Sequence, residues 1–150
     1  MGIVYADTKS IVLRLERVFA APRERVFDAW TTAEALKRWW CPPGWETERI
    51  EVDLRVGGAF HLGMRRIADQ TAAAVYGRFL DVQRPERVAY TWKWTGSLEE
   101  MAETRVTVEF LAESHGTRLI LTHDRLPDVP MWHRHRGGWI AACDRLEQAL

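Results

Sequence analysis

Cysteine is scarce in this chain. Cys41 and Cys143 are the only two in 150 residues, and they form no CxxC pair. That excludes a disulfide-dense secreted scaffold and a paired-cysteine zinc motif, and it suits a reduced cytoplasmic protein. Net charge is missing too: 21 basic residues balance 21 acidic ones. Nucleic acid and anionic membrane both reward a clustered positive excess, so neither is expected as a partner. No apolar run reaches the roughly 18 residues that a membrane-spanning helix needs. The first ten residues lack the basic start and apolar stretch of a signal peptide. Gly57-Gly58 stands in neither a GxGxxG nor a Walker context, so no nucleotide cofactor is implied. His133 and His135 leave a helix in different directions, so they do not make a metal site with His61 or His115.

Tryptophan, by contrast, is abundant, with eight in the chain. In the segment 88–94, Val88, Tyr90, Trp92 and Trp94 occupy alternate positions and so share one face of a strand. The segment 130–150 has the other period. Trp132, Trp139, Cys143, Leu146 and Leu150 follow spacings of seven, four, three and four, one stripe of a helix.

The remaining periodicities predict one strand at 10–20, then two short helices. Pro22 opens the first, whose apolar side is Val26, Phe27 and Trp30; Thr32 caps the second, which runs to Trp39-Trp40. Strands follow at 50–56, 60–64, 72–82, 87–94, 106–110 and 117–123, with a polar loop at 96–102 and a long terminal helix. Consecutive strands joined by tight turns argue an α+β domain spanning the whole chain rather than βαβ units. About seven antiparallel strands would then meet the long C-terminal helix, read here as the only element able to cover their apolar face.

This order carries recurrent words: Ala21-Pro22, Val26-Phe27, Ala29-Trp30-Thr31, Trp39-Trp40 with Pro42, residues 53–58, residues 85–88, Tyr90-Thr91-Trp92, Gly116-Thr117, Leu119, Leu121-Thr122-His123 and Gly138-Trp139. Together they resemble the START-like helix-grip (SRPBCC) superfamily, in the branch of the activator of heat-shock protein 90 ATPase homologues. The resemblance implies a curved antiparallel sheet wrapped around the C-terminal helix, with a cavity between them. It also implies a choice of functions, since that superfamily holds lipid carriers, hormone-binding proteins, aromatic polyketide cyclases and a co-chaperone domain. Two departures stand out. Cys41 replaces the usual glycine after the tryptophan pair, and Ala68-Asp69-Gln70 replaces a glycine-containing hairpin, which predicts a longer or looser turn there.

The expected ligand wall is Tyr90, Trp92, Trp94, Phe110, Trp132 and Trp139, extended by Trp39, Phe60 and Cys143. Pockets for small molecules are mostly apolar with a few convergent polar groups, and the competing reading of the same residues is a filled core. His123 continues the period of Leu119 and Leu121 and faces the same way. A core histidine holding the strand end is the favoured reading, and a general acid or base is the other. Arg17 interrupts an apolar face, and Asp53 and Arg55 are two apart; internal ion pairs are expected at both places. The leading functional expectation is binding of a small apolar or aromatic molecule without dedicated catalytic machinery. The alternatives are a cyclase- or hydrolase-type enzyme, or a co-chaperone-like interaction module. The sheet's outer face leaves room for a homodimer.

Overall fold

The structure is a computed structural model that describes residues 4, 5, 11–96 and 102–150. In chain order the elements are β1 (Val4–Tyr5), β2 (Ile11–Phe19), α1 (Arg23–Thr31), α2 (Ala33–Trp39), β3 (Trp45–Val52), β4 (Ala59–Arg66), β5 (Ala72–Gln83), β6 (Arg87–Gly96), β7 (Thr104–Glu113), β8 (Gly116–Leu126) and α3 (Val129–Ala149). The strands form one antiparallel sheet in the order β1-β2-β8-β7-β6-β5-β4-β3. Seven are long and β1 adds a two-residue edge, so the α+β helix-grip arrangement is the observed one. The β2–β8 pairing brings the start of the chain beside its end. α1 and α2 carry the chain across the sheet to the opposite edge.

Alternation accounts for the inner face. Ile11, Leu13, Leu15 and Phe19 of β2, Val106, Val108 and Phe110 of β7, and Leu119 and Leu121 of β8 are all buried. Arg17 breaks the β2 series because its guanidinium reaches α3, where it meets Asp144 at 2.6 Å and Glu147 at 2.9 Å. Thr32 serves two helices. Its backbone N–H closes α1 on Asp28, and its hydroxyl accepts from Ala35 N at the start of α2. Asp128 caps α3 by accepting from Met131 N, with Pro130 in the first turn.

Four expectations need correction. α3 is not the only cover of the inner face: α1 and α2 share it, and Phe27 of α1 packs edge-on against Phe110 at 5.1 Å. β3 begins at Trp45 and ends at Val52, so Asp53 and Arg55 lie in the turn before β4. Their ion pair exists at 2.9 Å, but in solvent rather than on a sheet face. The β4–β5 turn covers residues 67–71 and is held by backbone bonds from Arg66 N to Thr71 O and from Gln70 N to Arg66 O, so it is not loose. Gln70 takes the left-handed conformation (φ 62°) that a glycine would otherwise supply, and Asp69 accepts from Thr71 N. Of the loop foreseen at 96–102, residues 97–101 lie outside the described residues.

At Gly77 on β5 the neighbouring strand comes very close. A Cβ placed there would sit 1.9 Å from the carbonyl oxygen of Thr91 and 2.8 Å from the Phe60 ring. Gly77→Ala should therefore force the β5–β6 pair apart. The expected cost is about 1–3 kcal/mol, typical of overpacking. It would be read as a lower urea midpoint with an unchanged denaturant slope, and an unchanged midpoint would refute the close approach.

Candidate functional site

α3 packs on β2, β8 and α2. It leaves space above β4 and β6, and that space is a cavity of about 540 Å³. Its floor is Met64, Trp92 and Trp94, and its side wall is Trp40 and Pro42. Its roof is one stripe of α3: Met131, Arg134, His135, Gly138, Ala141, Ala142 and Arg145 follow three- and four-residue steps, with Trp139 at the edge. This stripe lies beside the apolar stripe that fills the core. Small side chains at 138, 141 and 142 keep the roof high, and the exposure of Arg134, Gly138 and Ala141 marks the mouth. Behind the cavity a void of only about 30 Å³ is enclosed by Trp30, Trp39, Phe60, Tyr90 and their neighbours.

Two hydrogen-bonded sets fix the tryptophan walls. Trp139 Nε1–H donates to His123 Nδ1 at 3.1 Å. An indole N–H only donates, so Nδ1 must be the unprotonated nitrogen and Nε2 carries the proton. Nε2 lies 2.7 Å from Thr104 Oγ1, which in turn donates to the Trp92 carbonyl at 3.0 Å. In the second set, Trp94 Nε1–H donates to His135 Nε2 at 3.2 Å, and His135 Nδ1 faces the Met131 carbonyl at 2.9 Å. Both imidazoles are thus held neutral, in opposite tautomers. Burial drives the His123 pKa well below its ordinary value, with neighbouring His135 adding to the shift. Burial also lowers His135, against the raising effect of its bond to Met131.

One donor is left over. Trp92 is buried and lines the cavity, and its Nε1–H has no partner among the described residues. Arg145 enters from the other side, giving Nε to the Trp39 carbonyl and Nη2 to the Trp40 carbonyl, both at 2.8 Å. Burial lowers its pKa. Burial raises both thiols, Cys143 to about 11, so neither is a thiolate nucleophile at neutral pH.

Of the residues expected in the ligand wall, Trp92, Trp94 and Trp139 border the cavity; the Trp92 and Trp139 rings are 4.9 Å apart. Trp39, Phe60 and Tyr90 border the small void. The others are placed elsewhere. Phe110 is filled in by Phe27, and Cys143 is buried in the core. Trp132 turns its N–H to the Val12 carbonyl at 3.2 Å. His123 stands behind Trp139 with both ring nitrogens occupied. Sequence reasoning missed Trp40, Met64, His135 and Arg145. His135 was within reach, since it sits three after Trp132 and four before Trp139. Arg145 was not, because its partners are backbone carbonyls 105 and 106 residues away. Among the described residues no group of three or more His, Cys, Asp or Glu side chains is arranged to hold a metal ion, and no helix is long and apolar enough to cross a membrane.

Comparison with known proteins places this geometry in context. The family described as Activator of Hsp90 ATPase homolog 1-like protein matches residues 20–150. A crystal structure from Chromobacterium violaceum is similar at 30% identity and a TM-score of 0.82, covering 91% of this chain and 95% of that one. The AHSA1 protein of Silicibacter pomeroyi is similar at 31% identity and a TM-score of 0.79, with the same coverages of 91% and 95%. A Rhizobium leguminosarum protein is similar at 26% identity and a TM-score of 0.82, covering 94% of each chain. No functionally curated protein matches.

The two neutral histidines predict an acid-sensitive fold. The unfolded chain takes up a proton at each near the ordinary value of 6.5, whereas the native state resists until lower pH. Their contribution is complete above that value and is lost as pH falls below it, by up to about 1.4 kcal/mol per pH unit for each histidine. Urea unfolding between pH 7.5 and 5 should show this slope. His123→Gln, which keeps a hydrogen-bonding side chain but does not titrate, should flatten it. An equally steep slope in the variant would contradict the neutral assignment.

Proposed function

The chain belongs to the Activator of Hsp90 ATPase homolog 1-like family, and we propose that it works as a binding protein for a small aromatic molecule held between α3 and the sheet. The observation that carries this reading is the cavity of about 540 Å³, walled by Trp40, Trp92, Trp94 and Trp139. That volume falls within the roughly 300–1,000 Å³ of small-molecule sites. Indole walls favour a flat ring that can stack on them or meet them edge-on.

His123 has no part in this function beyond holding Trp139. Its ring is fully enclosed, and each nitrogen already has a partner. A substrate entering at Arg134 and Gly138 would meet Trp139 before it met the imidazole. The free thiols of Cys41 and Cys143 suit a reducing compartment such as the cytoplasm.

Gly138 tests the reading, because a Cβ added there meets nothing within 4 Å. Gly138→Leu, whose Cβ meets no atom, should narrow the mouth of the cavity, and replacing glycine inside a helix should leave stability equal or higher. The neutral fluorophore N-phenyl-1-naphthylamine should brighten with the wild-type protein. Its affinity for Gly138→Leu should drop at least about tenfold, a loss of roughly 1.4 kcal/mol. Equal binding by the two proteins would mean that the probe sits elsewhere and that the cavity is not a binding site.

A further inference from the structure

The charge of the cavity wall is one-sided. Among the described residues Arg134 and Arg145 line it, and no aspartate or glutamate does. Several arginines elsewhere meet carboxylate: Arg17 with Asp144, Arg84 with Asp28, Arg105 with Asp124 and Arg118 with Glu113. Arg145 does not follow this pattern. It is half-buried, its two bonded donors go to neutral carbonyls, and the adjacent Asp144 is turned to Arg17. A guanidinium partly withdrawn from water, with the neighbouring Asp144 carboxylate acting on it only through space, carries a desolvation cost that an incoming anion would offset. Only two of its five N–H groups are used on Trp39 and Trp40. The carbonyls also fix the guanidinium at the cavity wall.

We infer that the ligand class is an aromatic monocarboxylate, with its ring system against Trp40, Trp92, Trp94 and Trp139 and its carboxylate at the arginine end beside Arg145 and Arg134. This rests on the cavity being a binding site, as proposed above, and adds the sign of the ligand's charge. The wall supplies both halves of such a molecule's needs. Apolar surface and indole faces take the ring, and among the described lining residues the formal charges are positive. Arginine suits this task because its planar fork matches a carboxylate and because it tolerates partial burial better than lysine.

The test compares two probes of the same ring system by calorimetric titration of the full chain at low salt: 2-naphthoate, which is anionic, and 2-naphthalenemethanol, which is neutral. The naphthoate should bind about tenfold more tightly, and its advantage should shrink as salt is raised. Arg145→Met should remove most of that preference while the neutral alcohol binds as before, which also shows that the cavity has survived the substitution. Arg145→Lys should keep part of the preference. Arg134→Gln, at the exposed mouth, serves where Arg145→Met does not fold, and it should reduce the preference less. Equal affinity for the two probes in the wild-type protein would overturn the charge assignment while leaving the cavity reading intact. So would a preference untouched by both Arg145→Lys and Arg134→Gln. Binding of neither probe would overturn both.

Discussion

The indole N–H of Trp139 seated on the unprotonated nitrogen of His123 is the contact on which this architecture turns. From it a directed chain of hydrogen bonds runs through His123 to Thr104 and on to the Trp92 carbonyl, passing from α3 to β8, β7 and β6 in four residues. Each member has one role open to it once the indole has been placed. Reversing any one would bring two donors together or leave a lone pair facing none, inside a protein where unmet polar groups are expensive. The chain therefore sets both the height and the rotation of α3 above the sheet.

Three further fastenings keep the helix there. Arg17 ties its C-terminal part to β2, Trp94 reaches up from β6 to His135, and Arg145 hooks the end of α2. These points surround a stretch of α3 that carries Gly138, Ala141 and Ala142. Small residues on a helix normally let its neighbour approach. Here the neighbour cannot do so, since the aromatic props at Trp92, Trp94 and Trp139 are wide and stiff. The cavity follows from this combination of long props, firm fastenings and a short-sided roof. On the other side of the props the packing closes, with Phe27 on Phe110 and Trp30 donating to the Tyr90 hydroxyl at 3.0 Å.

The polar groups around the cavity differ in what they leave available. Trp30, Trp39, Trp94, Trp132 and Trp139 have all committed their N–H groups to protein acceptors, and Trp92 has not. Among the described residues Arg145 has committed two donors to backbone and none to a carboxylate. A core formed only to be stable would gain by closing both gaps.

Much of this protein was legible in one dimension. The alternation of β2, β6, β7 and β8 reports which residues face inward, because side chains on a strand have a period of two. The Trp132–Trp139–Leu146 spacing reports the core stripe of α3, and Thr32 reports a helix cap. The words around Trp39-Trp40 and Gly138-Trp139 pointed to the right family. Periodicity, however, specifies a face and not what stands opposite it. Phe110 and Trp92 have the same inward pattern, yet Phe27 packs on the first while the second is held by Trp139 at the edge of a cavity. The stripe that roofs the cavity was silent in the sequence because its members, Arg134, Gly138, Ala141 and Arg145, are charged or small and look like a solvent face. Arg145 acquired its role only when folding carried the carbonyls of Trp39 and Trp40 across more than a hundred residues to meet it. Inward-facing pattern was decided by local sequence; filled or empty, paired or unpaired, was decided by contacts between elements distant in the chain, which only the tertiary structure brings together.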